Sequence, residues 1–415
     1  MRSKFRSNLI LAATGLIIAL VAGCTKSTPP PAKAEPTAQT PTASPPPAPV
    51  TSNDPTPAKN VEPEAPSPEP EPSAPAVSFG DPANFPVFTV DVSEYPSWIA
   101  FTYAQALGLL EPDRGKVGSI ERKWGVDIVL GSIDYDPCIT KLAASQIDAT
   151  TITNIDALAV SEGRTLVAVF PTSTSDKADT LLAVKSIASL ADLKGEVVWG
   201  LEKTVSHYNF DRNLQKVGLN PADFIYKQKD PGVCATEMQQ KNPEVRVCSF
   251  WNPFKVQTMT ERSDDLHELG NSGVIPLEIL DLMVVAQDAL DRKGGDRFAA
   301  ALADTFYQIG VRMNDPATRS DTLLGMIDRF APLSLPQMEV CVTETRFFDT
   351  ADKGLALYEN PELPKVMATV QAWTAEKGIT GTKLKVGYGT KADAPDATFR
   401  YDPSYMQLAK RGPQN

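Results

Sequence analysis

Between Tyr95 and Asn252 the chain carries aromatic, hydroxyl, amide and carboxylate side chains of the kinds that orient a small polar molecule. They fall in pairs: Tyr95 and Trp98, Thr153 and Asn154, Asp176 and Asp179, Ser206 and His207, Trp251 and Asn252. Hydroxyls and amides both donate and accept hydrogen bonds, and an aromatic wall excludes water, so the set suits recognition. Asp176 and Asp179, with Asp91, Glu94 and Glu202, would give such a site negative charge. That charge favours an amine, amidine, guanidinium or neutral amide over a bare oxyanion. Against this, Lys177, Lys203 and Arg212 are placed to neutralise it, and most acidic side chains are simply solvated.

Motifs of catalysis are scarce. His207 and His267 are the only histidines and stand sixty positions apart, which excludes metal sites and base mechanisms built on several histidines. There is no Gly-Lys-Ser/Thr phosphate loop and no Gly-x-Ser-x-Gly elbow, and Gly387-Tyr388-Gly389-Thr390 reads as a turn. No metal or cofactor is expected. With 51 acidic against 40 basic side chains and a net charge of -11, the chain lacks the positive footprint of a nucleic-acid binder.

Each candidate also has an ordinary role open to it. Thr150, Thr151, Thr153 and Asn154 are residue types common at strand ends and helix N-caps. Trp98 fits equally on the apolar face of a first helix, whereas Trp251, directly before Asn252-Pro253 at a strand end, reads as a pocket wall. His207 near a helix start is either a ligand contact or a solvated side chain. Ser206 reads as an N-cap or as a donor to ligand.

These residues need a scaffold, and the 415 residues, 42% of them hydrophobic, are enough for two or three domains. Beyond Phe85, β-rich runs at Val87–Val92, Val126–Ile133, Thr165–Phe170, Thr180–Val184, Val197–Gly200, Phe224–Tyr226, Val245–Ser249 and Leu282–Ala286 alternate with helical patterns. The alternation predicts an α/β fold with a mostly parallel sheet. After about Gln287 the strands are expected to stop, leaving a helical C-terminal region at Phe298–Met313, Thr322–Phe330, Met338–Phe347 and Leu363–Lys377.

The N-terminal part reads differently. Arg2, Lys4 and Arg6 precede an apolar stretch from Leu9 to Ala22, too short to span a bilayer comfortably but of export-signal length. It ends Leu20-Val21-Ala22-Gly23-Cys24, which resembles the lipobox of bacterial lipoproteins and makes Cys24 the expected lipidation site. Of the 36 prolines, 17 fall between Pro29 and Pro75, where large apolar residues are nearly missing. Such a segment buries too little surface to offset the entropy of ordering, so residues 24–78 are expected to be a disordered tether. The folded part is then exported and lipid-anchored to a bacterial membrane, in the periplasm or cell envelope. There disulfides are permitted. Cys234 and Cys248 come to one edge of a βαβ unit and are the expected pair; buried free thiols are the alternative.

The order of features resembles the nitrate, sulfonate, taurine and thiamine-precursor family of ABC-transporter solute-binding proteins. The resemblance runs over about Val87 to Glu376. It is carried by Tyr95-Pro96-Ser97-Trp98; by Gln146-Ile147-Asp148-Ala149-Thr150-Thr151-Ile152-Thr153-Asn154-Ile155-Asp156-Ala157-Leu158; by Asp176-Lys177-Ala178-Asp179; by Ser189-Leu190-Ala191-Asp192-Leu193-Lys194-Gly195; by Val205-Ser206-His207-Tyr208; and by Trp251-Asn252-Pro253. Thr153 to Leu158 and Phe399 to Tyr405 resemble, more narrowly, a subgroup labelled urea-type. The resemblance implies a type II periplasmic binding protein fold, two α/β lobes with a cleft between them. The boundaries expected are 1–23 for the signal peptide, 24–78 for lipidated Cys24 and the tether, 79–180 for the first part of lobe one, 181–280 for lobe two, and 281–415 for the return strand and C-terminal helices. It further implies a monomeric, non-enzymatic importer component that captures a small polar solute of the amine, amide, guanidinium or sulfonate class and delivers it to permease subunits. The alternatives are an enzyme on the same fold acting on a small nitrogen-containing molecule, and a receptor feeding a sensor.

Overall fold

The computed structural model describes residues 78–413. The signal segment, Cys24 and the tether up to residue 77 lie outside the described residues. Thirteen strands follow in chain order: β1 (Val87–Val92), β2 (Asp127–Ser132), β3 (Ala149–Thr153), β4 (Leu166–Ser175), β5 (Thr180–Val184), β6 (Val197–Gly200), β7 (Ile225–Gln228), β8 (Val247–Phe250), β9 (Leu266–Asn271), β10 (Leu280–Ala286), β11 (Thr345–Phe347), β12 (Val386–Tyr388) and β13 (Phe399–Tyr401). They form two sheets. The larger runs β12-β13-β4-β10-β3-β1-β2, with β11 paired to β4; the smaller runs β7-β6-β8-β5-β9.

Both sheets are mixed, which corrects the expectation of a mostly parallel one. In the larger sheet β10 lies antiparallel between β3 and β4, because the chain re-enters it from the smaller sheet and runs back. In the smaller, β5 is antiparallel to both neighbours for the same reason. Strands also do not stop after Gln287. Three short ones, β11, β12 and β13, join the larger sheet, and Gly387 and Tyr388 belong to β12 rather than to a turn. Three residues are too few for a period of two to show, so only pairing with β4 reveals them.

The larger sheet is buried on both faces. All ten residues of β4 and all seven of β10 are buried. The helix Gly295–Asn314 places Phe298, Leu302, Phe306, Ile309 and Met313 on one face by its i, i+3 and i+4 spacing. Phe298 stacks on Phe88 of β1 with ring centres 4.3 Å apart. Burial of each such side chain stabilises the fold by roughly 1.5–3 kcal/mol.

The chain passes between the sheets twice, through residues 176–179 and 272–279. Ser175 Oγ and Ser272 Oγ lie 2.7 Å apart, the Lys177 N–H donates to Ser272 Oγ, and the Ser272 N–H donates to Asp179 O. The two crossings are thereby tied side by side. Glu278 on the second accepts from Arg212 Nε (2.7 Å), Arg212 Nη2 (2.9 Å) and Tyr208 Oη (2.5 Å), all on the helix Val205–Lys216 that follows β6.

Candidate ligand site at the sheet junction

Strand ends set the site. A parallel strand delivers the residue after its carboxyl end to a helix start, where free backbone N–H groups and short polar side chains collect. Here β1 leads to Tyr95 and Trp98, β2 to Tyr135, β3 to Thr153, β6 to Val205, and β8 to Trp251. These six line one small void of about 10 Å³, together with Asp179 from the first crossing and Asp281 from β10 at the end of the second. A void of that size holds about one water molecule. No Lys, Arg or His is among its lining residues.

The walls are aromatic. Ring centres stand 4.9 Å apart for Tyr95 and Trp98, 5.3 Å for Trp98 and Tyr135, and 5.8 Å for Tyr135 and Trp251, the last pair edge to face. Tyr135 is held by its hydroxyl, which donates to Asp156 Oδ2 (2.7 Å) and accepts from the Thr153 N–H (3.1 Å). Thr153 caps the helix Asn154–Ser161 and also donates to Asp156 Oδ2 at 3.0 Å. Tyr95 Oη, Trp98 Nε1 and Trp251 Nε1 are buried with no hydrogen-bond partner.

Buried carboxyls give the site its electrostatics. Burial raises Asp179 to about 6 against the lowering hydrogen bond from Ser175, with Asp156 adding to the rise. Burial likewise raises Asp156 to about 6, opposed by its hydrogen bonds from Tyr135 and Thr153. Asp281 is raised well above the ordinary carboxyl range by burial; Ser173, which donates to its Oδ2 at 2.5 Å, opposes this, and neighbouring Asp179 adds to it. Outside the void a cleft of about 570 Å³ shares Tyr135 and Trp251 with it. Glu94, Asp134, Asp136 and Asp230 line this cleft against a single cation, Arg329. Burial, together with Asp134 and Asp230, raises Glu94 to about 7.

Of the ten residues singled out from sequence, Tyr95, Trp98, Thr153, Asp179 and Trp251 meet at the void. The other five do not line it. Asn154 is buried beside it with its amide committed: Nδ2 donates to Glu278 O and Oδ1 accepts from the Leu280 N–H, both at 3.0 Å. It clamps the second crossing to β3. Asp176 is half-buried, and its N–H bonds Glu344 O. Ser206 lies inside the helix Val205–Lys216, for which Thr204 holds the N-cap position, so Ser206 is no cap; its Oγ is buried without a partner. His207 is neither solvated nor at the void. It stacks on Tyr226 with centres 4.2 Å apart, meets Trp373 edge-on, and has its pKa lowered by burial. Asn252 donates through Nδ2 to Glu344 Oε2 at 2.8 Å, beside Lys255, which bridges Glu344 and Glu268. Arg212 is occupied by Glu278 and neutralises none of the site carboxyls.

Three lining residues escaped the sequence reading. Tyr135 had a usable signal, an aromatic in Asp-Tyr-Asp-Pro directly after a β run. Asp281 had one too, a lone acid in the apolar run Leu-Asp-Leu-Met-Val-Val-Ala. Val205 had none. The sulfurs of Cys234 and Cys248 lie 2.6 Å apart as buried free thiols, so the expected disulfide is not formed in this structure. Among the described residues no group of three His, Cys, Asp or Glu is placed to hold a metal ion, and no helix is long and apolar enough to cross a membrane.

Two sheets linked by paired crossings, with an enclosed site at their junction, define the fold of the periplasmic solute-binding proteins. The periplasmic aliphatic sulphonate binding protein SsuA from Escherichia coli shares it at a TM-score of 0.56 and 17% identity, over 71% of this chain and 94% of that one. The alkanesulfonate-binding protein SsuA from Xanthomonas axonopodis pv. citri, bound to MOPS, matches at 0.57 and 16%, over 76% and 98%. The periplasmic nitrate-binding protein NrtA from Synechocystis PCC 6803 matches at 0.54 and 9%, over 79% and 89%. No family model matches the sequence. No curated protein matches it either.

Proposed function

We propose that this protein is the solute-binding component of an ABC importer, and that its solute presents N–H groups rather than oxyanion oxygens. The observation that carries the reading is the composition of the void: four aromatic side chains and two buried carboxyls, Asp179 of the first crossing and Asp281 of β10, without a basic side chain. An oxyanion such as a sulfonate would meet carboxyls there instead of the cationic donors that bind it well. An ammonium, amidinium or amide N–H meets acceptors and aromatic faces. The acidic cleft outside raises the local concentration of such a ligand.

In this reading the bodies built on the two sheets are lobes with boundaries near residues 180 and 280, and the crossings are a hinge. Tyr135 and Trp251, which meet edge to face across the junction, part when the lobes open. The protein acts without catalysis, as a monomer exported and anchored through Cys24, with the Pro-rich tether giving it reach toward a permease. A thermal-shift screen of residues 78–415 against methylammonium, guanidinium, acetamide, nitrate and methanesulfonate tests the ligand class, since a ligand bound only by the folded state raises the melting temperature. The nitrogenous compounds should raise it. A rise with nitrate or methanesulfonate alone would refute the assignment.

A further inference from the structure

Three residues that line the void carry a buried donor without an acceptor, the Tyr95 hydroxyl and the indole N–H groups of Trp98 and Trp251, and the two indoles can only donate. Trp98 and Trp251 are 2% and 3% exposed, both rings line the void, and neither Nε1 has a hydrogen-bond partner. An indole N–H can only donate, and a buried donor left unmet is unfavourable. The two come from opposite bodies, Trp98 after β1 of the larger sheet and Trp251 after β8 of the smaller. Asp179 on the first crossing and Asp281 on β10, by contrast, bring carboxyl groups to the lining.

We infer that the ligand is two-ended: one acceptor oxygen shared by the indole N–H groups of Trp98 and Trp251, and N–H groups facing Asp179 and Asp281. A small primary amide has this pattern. An amidinium or guanidinium offers donors only and leaves both indoles unmet; a carboxylate or sulfonate offers acceptors only and sets a second anion against Asp179. Since one indole belongs to each body, the carbonyl oxygen also bridges them, so the same contact that selects the ligand holds the lobes together. This rests on the solute-binding reading and narrows it from N–H compounds in general to those that also carry a carbonyl.

Three planar molecules of nearly one shape separate the possibilities: acetamide, acetamidinium and acetate. Their affinities for wild type, Trp98→Phe and Trp251→Phe are measured by calorimetry at pH 7.5. Acetamide should bind wild type most tightly. Each Phe variant keeps a ring and loses an N–H, so each should weaken acetamide roughly tenfold, the usual consequence of one unmade buried hydrogen bond. Acetamidinium affinity should change less than twofold in the same variants, an outcome that a collapsed or misfolded site would not produce. If acetamidinium binds wild type more tightly than acetamide, or if the Phe variants weaken both alike, the two-ended ligand is wrong while the N–H reading stands. If acetate binds best, or none of the three binds, the N–H reading falls with it.

Discussion

Replacing Asp179 by Asn should stabilise the empty protein at neutral pH and change its stability far less at pH 4. Asp179 titrates at about 6 in the folded state against 3.8 for the ordinary group, because burial outweighs its hydrogen bond from Ser175. A raised carboxyl pKa means that the folded state holds a proton the unfolded state has released. The stabilising contribution is therefore complete below the unfolded value and is lost as pH rises through 6. About two pH units at ~1.4 kcal/mol each make the loss ~3 kcal/mol by pH 7.5. An asparagine of the same shape never ionises and avoids it. For a folded unit of this size the melting temperature of the empty variant should exceed wild type by on the order of 5 °C at pH 7.5. Calorimetric melts of dialysed, ligand-free protein at pH 4.0 and 7.5 read the difference. A gain of equal size at both pH values would refute the argument, since a packing effect does not titrate. A buried acid that weakens the empty protein is what a binding site tolerates and a core does not.

Asn154→Ala should lower stability by about 2–5 kcal/mol, because it leaves Glu278 O and the Leu280 N–H without their partner; urea denaturation checks it, and an unchanged midpoint counts against the clamp. Cys234 and Cys248 should form a disulfide in protein prepared under oxidising conditions, given their adjacent buried sulfurs. Alkylation in denaturant without reductant, followed by mass spectrometry, should leave both unlabelled; label on both excludes the bond. Cys24→Ser should abolish incorporation of labelled palmitate in cells and leave the melting temperature of the folded part unaltered, and persistent label would show that Cys24 is not the lipid site.

How much of this was legible follows from which interactions are local. The strand-to-helix switches that carry Trp98, Thr153 and Trp251 are written in short-range periodicity, so their place at strand ends could be read without any tertiary contact. Asp176 and Asp179 looked alike in the sequence, both acids just before a strand, and only the fold brings Asp179 to the void and leaves Asp176 off it. The return of β10 between β3 and β4 had no such local signal, since a strand's direction and neighbours depend on where the chain has been over the preceding hundred residues. With that return came Asp281, and with β11, β12 and β13 the true edge of the larger sheet.

Sequence by itself determined residue chemistry and the α/β class: aromatic and acidic groups at strand ends, and apolar spacing that marks the longer segments as helix or strand. Tertiary structure decided which of those groups share a space. Asn154 and Thr153 are adjacent in the chain, yet one faces the void and the other clamps a crossing. A residue's side is set by the backbone turn at the end of β3 and by what packs against it from position 278 onward. Likewise Arg212 was free to neutralise a site carboxyl until Glu278 came within 2.7 Å of it. Contacts between residues sixty or more positions apart are fixed by the closure of loops and the packing of sheets, and no local pattern encodes them.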